Sequence, residues 1–229
     1  MKRYIATYFL LLFLIAAIGF TACTKQDKSY LDVTQNPAVF NGSTYDYLAA
    51  QSAGSYDSLL LLLDYFPDLK DSLKTETTTF FALTNHSFQL MVSDLNFYAN
   101  LPEGTINLRN IDKLVLDTFL CRYIIRDAYL STDLLRATDG YTLPSIKYDY
   151  EMNLQHIYTN ASGFVNGGPR AIIFSDRKTS PFVSFWVSTN AITVDVRTDN
   201  GVVNVLTPGH SFGFGTEFRE AVYRSFVNP

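Results

Sequence analysis

A chain of 229 residues that is 47% apolar and 15% aromatic carries enough hydrophobic material for a packed domain, which excludes general disorder. Its formal charge of −4 at pH 7 leaves no basic excess, and this argues against nucleic acid or an anionic membrane face as a partner. Two cysteines, Cys23 and Cys121, restrict disulfide and thiolate chemistry from the outset.

At the N-terminus Lys2 and Arg3 precede an uncharged stretch from Tyr4 to Thr24, rich in Leu, Ile and Phe, that contains Gly19-Phe20-Thr21-Ala22-Cys23. A positive n-region, an apolar h-region and small residues before a cut are the layout of a secretory signal. With Ala22 at the small position and Cys23 as the acceptor for diacylglycerol, the segment resembles a bacterial lipobox. The resemblance implies a lipoprotein signal peptide over 1–22 and a mature chain held through Cys23 in the outer membrane, at the cell surface. An uncleaved anchor is the alternative, because a spanning helix needs about 20 apolar residues. Each buried methylene of an acyl chain contributes ~0.8 kcal/mol, so more than one chain makes a durable tether. Removal of residues 1–22 takes away Lys2 and Arg3 and no acid, so the net charge falls from −4 to −6. Cys121, the cysteine that then stays free, sits in Phe119-Leu120-Cys121 and reads as a buried, inert thiol.

Residues 23–44 are polar and broken by Asn36-Pro37 and Asn41-Gly42, the composition of a flexible tether. A folded region over 45–229 opens with Tyr47-Leu48-Ala49-Ala50, followed by a Leu-rich helix from Tyr56 to Phe66 that Asp57 or Ser58 can cap and Pro67 stops. Asp68–Leu73 extends this as a short helical turn. Thr79–Ala82 reads as a buried strand, and Thr84-Asn85 supplies a cap for a helix to about Asn100. On that helix Phe88, Met91, Val92, Leu95 and Tyr98 share one face. A third helix is expected from Asp112 to Ile125, with Leu116, Phe119, Leu120 and Tyr123 inward. Beyond Asp127 short extended segments alternate with turn residues. Strands are expected at Ala171–Ser175, Phe182–Ser188 and Ile192–Arg197, the last joined to Val202–Leu206 through an Asn200-Gly201 hairpin. Helices first and strands afterwards indicate an α+β fold.

Thr79-Phe80-Phe81-Ala82-Leu83-Thr84-Asn85-His86-Ser87-Phe88 resembles the first signature of fasciclin domains, and Asn200-Gly201-Val202-Val203-Asn204-Val205-Leu206 with Pro208 resembles the second. Phe80 and Phe88 would be core plugs, and Gly201 would take positive φ in the turn. Leu116–Leu135 and Asp139–Leu143 are similar to the family's intervening helix, strand and hairpin, so the resemblance spans about residues 45–229. It implies a fasciclin-like wedge, a β-sandwich of about seven strands with helices packed on one side. The Tyr-His pair tied to adhesion in animal members falls at Arg122-Tyr123, which gives integrin-type adhesion no support. Relative to a minimal domain the stretch at about 148–191 reads as an aromatic-rich insertion. Expanded versions of this kind accompany importers of the starch-utilisation type in glycan-degrading Gram-negative bacteria, and this implies an accessory role at an outer-membrane importer.

His86, His156 and His210 lack partners at metal-ligand spacing, and no catalytic or cofactor motif occurs, so neither catalysis nor a cofactor or metal is expected. The candidate binding surface consists of Trp186, Tyr158, Phe164 and Tyr150, because flat rings present large apolar faces at small entropic cost. Packing of an extra layer is the competing reading for these rings. The expected function is non-catalytic binding or organisation of partners, a protein complex in the outer membrane and a glycan or peptide near it, with adhesion or matrix contact as the alternative. Replacement of Cys23 by Ser is expected to move the protein from the membrane to the soluble fraction on cell fractionation. Retention in the membrane would show that the apolar N-terminal stretch is itself the anchor.

Overall fold

The structure, a computed structural model, describes residues 37–161, 163 and 165–227. The expected signal peptide, Cys23 and Phe164 lie outside the described residues. Among the described residues no helix is long and apolar enough to cross a membrane.

The helical half comes first. Helix α1 (Thr44–Ala49) starts with a capping box in which Ser43 and Asp46 bond each other's backbone N–H groups. In α2 (Asp57–Tyr65) Leu59, Leu62 and Leu63 recur at helical spacing and are fully buried. Pro67 does more than stop that helix. It occupies the first turn of α3 (Pro67–Thr75), a nine-residue helix where a short turn is expected, because a missing N–H costs nothing at that position. Strand β1 (Thr78–Ala82) is buried throughout and leads into α4 (Asn85–Tyr98). The caps differ from the sequence expectation. Asp57 and Ser58 do not cap α2, and Thr84 makes no cap bond to α4. Instead the Asn85 side chain accepts from the Ser58 N–H at 2.8 Å and donates to the Gly54 carbonyl at 2.9 Å, so one amide ties the starts of two helices together. On α4 Phe88, Met91 and Leu95 are buried, but Tyr98 is exposed and lies under the Arg219 guanidinium.

Helix α5 (Lys113–Leu120) is capped by Asp112, whose carboxylate accepts from the Val115 N–H. It ends five residues before the expected Ile125. Cys121–Tyr123 tighten into a 3₁₀ turn, and the β-branched pair Ile124-Ile125 opens strand β2 (Ile124–Arg126), whose pairing with β1 outweighs helix continuation. Strands β3 (Tyr141–Pro144), β4 (Glu151–Tyr158), β5 (Arg170–Asp176), β6 (Val187–Thr198) and β7 (Gly201–Leu206) follow, and α6 (Thr216–Val227) closes the described chain. The stretch 148–191 therefore supplies β4, β5 and the start of β6. Phe182–Ser188, expected as a strand, is mostly a loop with a 3₁₀ turn at Val183–Phe185.

The seven strands form one ladder in the order β2-β1-β7-β6-β5-β4-β3, with β1 and β7 parallel and the other neighbours antiparallel. An isolated bridge between Ile125 and Ser145 brings the two ends of the ladder together. The sheet is thus folded over a single core, in which the Phe81 and Phe174 rings, from strands that are not neighbours, stack 3.9 Å apart. Gly201 is needed for space rather than for the positive φ that the turn signal suggests, since a Cβ there would lie 2.2 Å from the Thr78 carbonyl oxygen. In β6 a bulge at Asp195, φ +64°, splits the strand. Its first half pairs with β5, while beyond the bulge Arg197 bonds Ala38 and Phe40 in parallel fashion. Residues 38–40, inside the stretch read as tether, are therefore fixed to the domain.

The ionic centre lies where α5, β5 and α6 meet. Arg122, 3% exposed, bonds Asp176 at 2.8 Å and Glu217 at 3.0 Å. Its guanidinium is sandwiched between the rings of Phe119 and Tyr150 at 3.9 and 3.8 Å. Lys178 reaches Asp176 and Glu217, and the Tyr150 hydroxyl donates to Asp176 at 2.7 Å. Burial pushes the Asp176 carboxyl up, but Lys178 and Arg122 beside it hold it below the ordinary carboxylate value. Arg122→Ala leaves a buried carboxylate short of its partner and is expected to cost about 3–5 kcal/mol in urea unfolding. Lys70→Ala, which removes an exposed pair with Asp64, is expected to cost less than about 1 kcal/mol.

Candidate functional site

Strand β4 alternates Met152 and Leu154, buried in the core, with Asn153 and Gln155, which point to the other face. The ladder carries that second face across β5 and β6 in two rows. Asn153, Ser175 and Ser188 form one row, and Gln155, Ile173 and Asn190 form the next. Above these rows lies a half-open groove of about 790 Å³. Its walls come from Val183, Trp186 and Val187 of the loop before β6, from Asp139, and from the connection between β7 and α6 through Thr207, His210, Ser211 and Phe214.

Local bonds fix the floor. Asn153 donates to the Asp139 carbonyl at 3.2 Å and Gln155 to the Thr138 carbonyl at 2.7 Å, which sets the orientation of both amide oxygens. The Ser175 and Ser188 hydroxyls share a bond of 2.8 Å. Trp186 is half-buried, its indole N–H donates to the Ser180 carbonyl at 2.8 Å, and the Arg177 guanidinium stands 5.3 Å from its ring centre. These contacts hold the ring in one orientation.

Only two residues of the lining are ionisable, Asp139 and His210. His210 is 8% exposed, and burial pushes its imidazole down to about 4, so it is neutral at pH 7. The Tyr123 hydroxyl accepts from the Gly213 N–H at 3.0 Å and meets His210 Nε2 at 2.8 Å. The imidazole tautomer sets which of the two donates in that bond. Nothing in this arrangement pairs a nucleophile with a base. Apart from Asp139, the groove presents uncharged donors and acceptors beside one fixed aromatic ring, a chemistry of recognition. Among the described residues no group of three or more potential metal ligands comes together.

No family model and no curated protein matches the sequence. Among solved structures the chain is similar to a FAS1 domain pair from the insect cell adhesion molecule fasciclin I, described as a novel fold. The TM-score is 0.50 at 12% identity, over 79% of this chain and 52% of that one. The fold is of the fasciclin type. The chain spans about half the length of that domain pair. Within the fasciclin-type fold, the expected core plugs Phe80 and Phe88 are both buried.

The four rings expected at a binding surface are not brought together. Trp186 lines the groove. Tyr158, 45% exposed, packs edge-on to His156. Tyr150 is turned to the ionic centre, with its hydroxyl on Asp176 and its ring on Arg122, so its polar end is engaged within the domain. Phe164 lies outside the described residues. Phe182 and Trp186, expected within one strand, differ because the segment is a loop: Phe182, Val183 and Phe185 are 65%, 66% and 64% exposed. Sequence reasoning missed the polar floor, although the alternation Met152-Asn153-Leu154-Gln155 carries its signal.

The buried imidazole has a consequence for stability. An unfolded chain protonates His210 near 6.5, whereas the folded one does so only near 4. The contribution is therefore complete above pH 6.5 and is lost as pH falls from 6.5 towards 4, by about 3 kcal/mol in all. Asp176 and Glu217, both held below ordinary carboxylate values, contribute above their unfolded values of 3.8 and 4.5 and lose that contribution in more acid solution. His210→Gln, which keeps an acceptor for Tyr123, is expected to remove most of the stability loss between pH 6.5 and 4 in urea titrations.

Proposed function

We propose that the protein is a non-catalytic binding module, lipid-anchored at Cys23 to the outer-membrane surface and accessory to an importer of glycans or peptides. The observation that carries the contact role is the loop between β5 and β6, whose Phe182, Val183 and Phe185 side chains stand out into solvent although buried positions are available to apolar residues elsewhere in the domain. Exposed aromatic clusters of this kind supply the anchors of protein interfaces. The groove beside the loop supports a binding role over a catalytic one, since its ionisable groups make no acid, base or nucleophile pair. The importer as partner follows from the lipobox and from the expanded form of the domain.

A C-terminally tagged full chain, captured from detergent-solubilised membranes of the native cell, is expected to bring down an outer-membrane importer in fixed proportion. Phe182→Ser combined with Phe185→Ser is expected to abolish that capture while changing stability by no more than about 0.5 kcal/mol per site. Recovery of the protein alone, with binding to cells or matrix instead, would establish the adhesion alternative.

A further inference from the structure

We infer that the groove over β4, β5 and β6 is a binding site for a neutral oligosaccharide. The inference rests on the binding role proposed above and names the ligand class.

Three observations converge on it. The floor offers amides and hydroxyls from Asn153, Gln155, Ser175, Ser188 and Asn190, and no charged side chain. Groups of that kind match a ligand with many hydroxyls, each at once donor and acceptor, and the one carboxylate of the walls, Asp139, gives an anionic ligand no counter-ion. Next, the amide oxygens of Asn153 and Gln155 are already oriented by bonds from their own N–H groups to the turn before β3. The cost of ordering them is met on folding and not on binding. Finally, Trp186 brings a ring held by Ser180 and Arg177 to the same groove, and a rigid ring beside polar groups stacks on the apolar face of a sugar.

A peptide fits less well. Extended peptides are commonly held by adding a strand to an open sheet edge. In this region β4, β5 and β6 are paired on both sides, and the ends of the ladder meet at Ile125 and Ser145. The groove therefore presents side chains where a peptide would need free backbone groups.

Trp186 is the one tryptophan in the chain, so its emission reports occupancy of the groove directly. The full chain in detergent is titrated with oligomers of glucose, mannose, xylose, galactose and N-acetylglucosamine, with hexagalacturonate as the charged control and a neutral hexapeptide as the competitor class. A saturable change in emission with at least one neutral sugar is expected, and little with the control or the peptide. Asn190→Ala and Gln155→Leu are each expected to weaken it about tenfold, the loss of one good hydrogen bond. Asn190 is exposed and holds the fold through its backbone, whose carbonyl accepts from the Thr207 N–H, so truncating its side chain separates binding from stability. No response to any neutral sugar, a stronger response to hexagalacturonate or the peptide, or full affinity in both variants would overturn the assignment. Importer capture is measured on the same variants. Capture without sugar binding removes the groove assignment alone, and sugar binding without capture removes the importer alone.

Discussion

The guanidinium of Arg122 is the point on which the architecture turns. It follows α5 directly, lies between Phe119 and Tyr150, and joins the end of β5 to the first turn of α6 through Asp176 and Glu217. A cation so far from water is tolerable because two carboxylates oppose its charge and two rings stack on it, even with Lys178 sharing those carboxylates. The same contacts decide where the chain goes next. Asp176 accepts from the backbone N–H of Lys178, which sets the exit from β5 and hence the loop that carries Trp186 to the groove. The polar groove is thus held in place by an ionic centre that it does not contain.

This separation keeps the ion pairs out of the groove. Arg122 and Lys178 pair with Asp176 and Glu217, Lys147 pairs with Asp117 and Asp68, and Asp195 takes two bonds from Ser131. Burial pushes the Cys121 thiol up to about 12, which leaves it a small apolar filler. Most charged groups are consequently committed to packing, and the exposed concavity is left with amides, hydroxyls and an aromatic ring beside the single carboxylate of Asp139.

Much of the fold was legible because its signals were local. The Leu spacing of α2, the buried run of β1 and the hairpin at Asn200-Gly201 each announce themselves within a few residues. What stayed hidden depends on distant partners. Helix α5 ends early because Ile124 and Ile125 find β1, and Asn85 caps a helix 27 residues before it. The groove is a row of residues from three strands, and no one segment reveals it. The surroundings of Tyr150 were equally hidden, because the cation it stacks on lies 28 positions earlier in the chain.

The parallel pairing of residues 38–40 with β6 also has a mechanical side. A pull along the chain from its N-terminal end enters the domain at Ala38 and Phe40, whose bonds to Arg197 lie across the direction of that pull. Bonds so arranged are sheared together and not opened one by one. Just behind them Gly42 accepts from the Asp199 N–H and Thr44 donates to the Asn200 side chain, so tension is passed to the hairpin between β6 and β7 before it reaches the core. The entry point of the described chain is thus reinforced by the centre of the sheet.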